Sequence, residues 1–180
     1  PDEDDSLMPS AFWRYGSDVY GLNSFLEPLL VYYNKDLFEN AGLPFPASDW
    51  TWDDFARSAV QLSHDKNGQK TFGFADDELC RLFLAHLWSN GGTCFDSEEM
   101  PLRCTIHEEM GVHSAAFIRS LITEGAMPRP GQAPGGFRDM FAGGEAAMLL
   151  DGSWLIPKLE GSGIHYGVAP LPRERTGVFV

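Results

Sequence analysis

The chain has 180 residues, of which 43% are apolar and 13% aromatic, and it carries a net charge of −13 at neutral pH. That is enough apolar material for one domain with a proper core, and it argues against disorder. The acidic balance argues against a nucleic-acid partner or an anionic membrane surface, because phosphate contacts need clustered Lys and Arg and the 13 cations form no run.

No stretch is long and apolar enough to predict a transmembrane helix. The opening Pro1-Asp-Glu-Asp-Asp5 is the opposite of a basic, apolar secretion signal. Residues 11–17 are polar and aromatic, and Asp18 to Asn23 reads as a short strand with a glycine kink. Leu29 to Tyr33 is a continuous apolar run bounded by Pro28 and Asn34, which predicts a strand buried on both faces. Asn34 then reads as an N-cap, Leu37, Phe38 and Ala41 recur at helical spacing, and Gly42 followed by Pro44 ends that short helix. Glu27 does not serve this architecture. A carboxylate at the lip of a buried strand is either a solvated loop charge or a ligand contact.

Thr51 with Asp54 predicts a capping box opening a helix from Trp52 to about Ser63. Asp65 to Gly68 is a turn whose calcium-like ligand series breaks off at Gln69. Thr71 to Ala75 reads as a strand, and Leu79, Leu82, Phe83, His86 and Leu87 mark an amphipathic helix that ends at Gly91-Gly92. His86 on its apolar face is read as a core histidine rather than a ligand. Cys94 and Cys104 flank a turn in a hairpin, where a cross-strand disulfide and free thiols are both open. A helix follows from about Glu108 to Glu124, then a loop rich in proline and glycine, then a short helix from Phe137 to Gly143-Gly144. Ala146 to Leu150 predicts another buried strand, Asp151-Gly152 a turn and Ser153 the N-cap of a helix that begins with Trp154. Ile164 to Ala169 is the last strand. Strands alternating with helices predict an α/β layered domain with ligands at the strand ends.

Familiar catalytic patterns are missing. There is no G-x-S-x-G, no Walker loop and no G-x-G-x-x-G, and the five histidines show neither H-x-x-x-H nor H-x-H spacing. Three cysteines, Cys80, Cys94 and Cys104, lack metal-type spacing. Carboxylates are plentiful enough for a glycosidase pair, but sequence does not place two of them across a bond. Aromatic residues do gather near element ends: Trp13, Tyr15, Tyr33, Trp88 and Trp154. Flat rings suit the C–H faces of a sugar, although Trp52 and Trp88 read more simply as core.

An ordered set of short motifs carries a resemblance. It comprises Tyr20-Gly-Leu, Tyr33-Asn-Lys-Asp-Leu-Phe-Glu-Asn-Ala-Gly42, Trp50-Thr-Trp-Asp53, Trp88-Ser-Asn-Gly-Gly92, Phe141-Ala-Gly-Gly-Glu-Ala-Ala-Met148, Asp151-Gly-Ser-Trp154 and Tyr166-Gly-Val-Ala-Pro-Leu-Pro172. In these the chain resembles the extracellular solute-binding proteins of bacterial ABC importers, the family that includes the maltose-binding protein. The resemblance implies a periplasmic-binding-protein-like lobe, a mixed sheet flanked by helices, within a two-lobed protein about twice this length. Residues 1–28 would be the crossover from the first lobe, 29–165 the second lobe and 166–180 the return crossover. Carried over by position, Trp154 is the stacking aromatic, Glu27 a cleft acid, and Arg81 stands at a cleft position where the residue type differs; Tyr33 completes the candidate ligand-binding set. Asn23 departs from the family's usual proline.

The resemblance further implies a binding protein and not an enzyme. It would capture a sugar, expected to be an oligosaccharide, without a cofactor, and deliver it to the importer's permease subunits. It would be a monomer outside the cytoplasm, secreted or lipid-anchored. A glycoside hydrolase and a carbohydrate-interaction module without a transport role are the rival readings.

Overall fold

A computed structural model of the chain describes residues 12–23, 28–66, 68–76, 78–97, 101–129, 131–133 and 135–173. At its centre lies strand β3 (Leu29–Asn34), with β6 (Met148–Gly152) on one side and β7 (Tyr166–Ala169) on the other, both antiparallel to it. The sheet is widened beyond β6 by residues 72–75, which make isolated parallel bridges Phe72↔Ala146 and Ala75↔Leu149. The sheet is therefore mixed, as the resemblance implied. Tyr166–Ala169, which the resemblance assigned to the return crossover, pairs with β3 over Val31↔Ala169 to Asn34↔Tyr166 and belongs to this sheet.

Side chains alternate across the strands, and both faces are covered. Val31, Tyr33, Met148 and Leu150 face α2 (Trp52–Leu62), α3 (Leu79–Ser89) and α4 (Glu109–Thr123), packing with Trp52, Phe55, Leu82 and Leu121. Tyr32 and Leu149 face the other way, onto α5 (Phe137–Ala142) and α6 (Ile156–Glu160) through Phe141 and Leu159. Double coverage is why these strands read as unbroken apolar runs.

Local signals are honoured where the cap chemistry is explicit. Asn34 accepts a hydrogen bond from the Leu37 amide at 3.1 Å and opens α1 (Lys35–Asn40). Thr51 and Asp54 form the expected reciprocal capping box of α2. Residues 12–15, expected only to be polar and aromatic, form β1 (Phe12–Tyr15), which turns through Gly16 at φ 60° into β2 (Asp18–Leu22).

Four expectations are corrected. The strand expected over Thr71 to Ala75 is split: Thr71 ends β5 (Gln69–Thr71), which pairs with β4 (His64–Lys66), and only the two bridges continue toward β6. Asp151 and Gly152 do not turn but finish β6, fully buried. Ser153 is not an N-cap; it begins a 3-10 turn, Ser153–Leu155, that leads into α6. Trp88 is 41% exposed rather than core. The cysteine question resolves to three free thiols. The hairpin register sets Phe95 opposite Cys104, with Thr105 N–H donating to the Cys94 carbonyl at 2.9 Å, so Cys94 is one residue out of step with Cys104.

Candidate functional site

Register fixes which end of the sheet matters. Leu29 pairs with Gly152 and Val31 with Ala169, so the start of β3 and the ends of β6 and β7 share one edge of the domain. Trp154 stands at that edge, two residues beyond β6 and 41% exposed. Its benzo ring lies over the Cα of Gly152: a Cβ built there would come within 2.1–2.3 Å of three ring atoms. One ring face is therefore supported by backbone while the residue as a whole stays 41% exposed. Only a glycine at 152 lets the ring lie that close.

Gly152 is pinned from several directions. Its amide donates to Asp151 Oδ1 at 2.8 Å, and its carbonyl accepts from the Tyr32 hydroxyl at 2.8 Å. Burial, the charge of Asp151 and Tyr166 together push the Tyr32 phenol up to about 12, which keeps it a neutral donor. Asp151 accepts from Arg138 Nε at 2.5 Å and Nη2 at 3.1 Å. Arg81 Nη2 donates to Asp76 Oδ1 at 2.9 Å and to the Leu150 carbonyl at 3.0 Å, while its Nη1 lies 3.8 Å from Asp151 Oδ1. Burial alone would raise the Asp151 carboxyl. The hydrogen bonds from Arg138 and the Gly152 amide, with the charges of Arg138 and Arg81, outweigh it and hold the group below the usual carboxylate range.

Next to this polar cluster is a recess of about 480 Å³ lined by Pro28, Leu29, Arg81, Leu84, Trp88 and Leu171. Arg81, Leu84 and Trp88 fall on one face of α3 at helical spacing. Pro28 and Leu171 border the recess where the chain passes into and out of the sheet.

The expected site residues are thus only partly gathered. Trp154, against Gly152, and Arg81, against the Leu150 carbonyl and Asp151, both lie at the end of β6. Tyr33 does not join them: it is 8% exposed, four residues along β3, with its ring 5.5 Å from those of Phe38 and Phe45 and Gly167 beneath it. It is a core residue. Glu27 lies outside the described residues. His86 is a core histidine, its Nδ1 3.0 Å from Ser114 Oγ and its ring stacked on Phe117 at 4.2 Å. Sequence reasoning missed Asp76, Asp151 and Arg138. An aspartate closing the apolar run Met148-Leu-Leu-Asp151 was the available signal, since a buried carboxylate requires a partner, but nothing in the spacing pointed to Arg138. Among the described residues no three His, Cys, Asp or Glu side chains converge into a metal-ligand set.

A sequence profile described as bacterial extracellular solute-binding protein matches residues 3–179. The chain belongs to that family. It is 27% identical over 168 residues to the galactooligosaccharide-binding protein of Bacillus subtilis, covering 88% of this chain and 38% of that relative. The sn-glycerol-3-phosphate-binding periplasmic protein of Brucella abortus is 27% identical over 148 residues, covering 79% of this chain and 34% of the relative. Among solved structures, an ABC substrate-binding protein of Listeria monocytogenes in complex with cycloalternan superposes with a TM-score of 0.76 at 26% identity, covering 92% of this chain and 44% of that one. The solute-binding-protein chain thus spans less than half the length of these relatives.

Proposed function

We propose that residues 28–173 form one wall of the interlobe cleft of an ABC importer's substrate-binding component, and that this wall captures a saccharide, in particular an oligosaccharide, by stacking it on Trp154. The observation that carries the reading is the partly exposed indole laid over Gly152, at the strand ends that border the recess beside Arg81. Apolar ring faces match the C–H faces of a sugar, and Arg81 and the exposed Glu78, which line the recess, supply polar contacts. The chain's passages at Pro28 and Leu171 border the same recess, which suits a lobe joined to a second one there. Glu27, one residue before Pro28 in the sequence, is proposed as a hydroxyl acceptor on the strength of its family position.

The mode is capture, closure and delivery, not turnover. Permease subunits of the importer are the proposed partners, with the protein a monomer held outside the cytoplasm, secreted or lipid-anchored. A hydrolase reading gains nothing from this wall, because Asp76 and Asp151 are buried against arginines rather than set across an open gap.

The test is a calorimetric titration of the full-length protein with galacto-oligosaccharides and cycloalternan. Trp154→Ala is expected to weaken binding at least about tenfold, on the order of 1.4 kcal/mol, and Trp154→Phe to lose less. Unchanged affinity in a folded Trp154→Ala variant overturns the assignment.

A further inference from the structure

The two arginines at this wall are both neutralised from within. Arg81 has only 10% of its side chain exposed and is paired with Asp76, which is fully buried, and with Asp151. Arg138, 39% exposed at its side chain, reaches the surface but bonds Asp151 through two nitrogens. Glu78, 62% exposed, adds an outward carboxylate 3.6 Å from Arg81. One turn on from Trp154, Lys158 is paired with Asp139 at 2.7 Å. Phosphate is the group arginine otherwise recognises best, and here Asp151 already occupies the Nε–Nη2 edge of Arg138 while Asp76 and the Leu150 carbonyl take Nη2 of Arg81, so both cations are charge-neutralised before a ligand arrives. The wall's two arginines, two buried aspartates and Glu78 sum to a negative charge, and the chain's −13 repels anions at longer range.

We propose that Asp151 and Asp76 are specificity-determining residues that make this wall select uncharged polyhydroxy ligands over phosphorylated ones. The inference rests on the saccharide reading above and adds the discrimination to it. The family matters here because relatives of equal identity are named for a galactooligosaccharide and for sn-glycerol 3-phosphate. A ligand phosphate carries about −1.5 to −2 at pH 7. It would meet arginines already neutralised by buried aspartates, with the outward Glu78 carboxylate beside them. A neutral hydroxyl meets no such opposing charge. Discrimination here lies in neutralising the cation, not in added contacts to the preferred ligand.

The experiment is a set of calorimetric titrations of the full-length protein with a galacto-oligosaccharide, cycloalternan and sn-glycerol 3-phosphate. Wild type is expected to bind a saccharide and to bind sn-glycerol 3-phosphate far more weakly. Asp151→Asn keeps the shape and removes the negative charge paired with Arg138, so the saccharide-to-phosphate affinity ratio is expected to fall by at least about tenfold. That fall should come from gained phosphate affinity that weakens with added salt. Should Asp151→Asn fail to fold, Asp76→Asn removes one of the charges that neutralise Arg81, with Glu78 and Asp151 retained, and carries the test with a smaller fall in the same direction. Wild type binding sn-glycerol 3-phosphate as tightly as the saccharides overturns the proposal, as does an unchanged ratio in a folded variant. If wild type binds no saccharide at all, the reading under Proposed function falls and this one with it. If it binds saccharide with a ratio indifferent to both aspartates, only this one falls.

Discussion

Gly152 shows how little room a ligand platform leaves its neighbours. A methyl group at 152 would occupy the space of the Trp154 ring, so Gly152→Ala is expected to swing the indole away and reduce saccharide affinity about as much as Trp154→Ala does. Titration of the full-length variant, with intrinsic fluorescence to follow the indole's environment, checks this; retained affinity would show that the ring position does not matter. His86 makes a different prediction. Burial, aided by the charge of His113, lowers it from 6.5 to about 4. Between those values the folded state binds fewer protons than the unfolded one. Stability is therefore full above about pH 6.5 and is lost progressively as pH falls toward 4, by up to about 3 kcal/mol. Urea titrations across that range are expected to show the slope, and His86→Gln to flatten it.

At the scale of elements, sequence was most informative where a single cap or period decides the outcome. The Thr51–Asp54 box, the Asn34 cap and the apolar run of β3 all describe interactions within a few residues, and each is realised. The strand end at Asp151-Gly152 was misread because Asp-Gly is turn chemistry locally. What keeps it extended is remote: Arg138 lies 13 residues away in sequence and Tyr32 reaches in from 120 away. Tyr33 was misjudged for a related reason, since an aromatic near a strand end looks alike whichever end of the strand faces the recess, and only register decides. Trp154 and Arg81 were singled out through family position, and the structure places both at the end of β6; the residues bonded around them, Asp76, Asp151 and Arg138, had no local signal that named them together. The hairpin at Cys94 and Cys104 shows the same limit. With Phe95 opposite Cys104 and all three thiols free, a reducing agent is expected to leave the melting temperature unchanged. A drop of several degrees on reduction would indicate a crosslink.

For the molecule as a whole, the mixed sheet covered on both faces is what superposes on the solved relative, and the chain carries it at under half the length of its relatives. The shared edge of β3, β6 and β7 has a mechanical consequence. The chain enters the sheet at Pro28 and leaves it past Ala169 on that one edge. Under the proposed function that edge is the jamb of a door: a rotation about it would move Trp154 little and sweep the end bearing Tyr33 and Phe38 through the widest arc. Solute capture and the travel that a membrane partner senses would then lie toward opposite ends of β3.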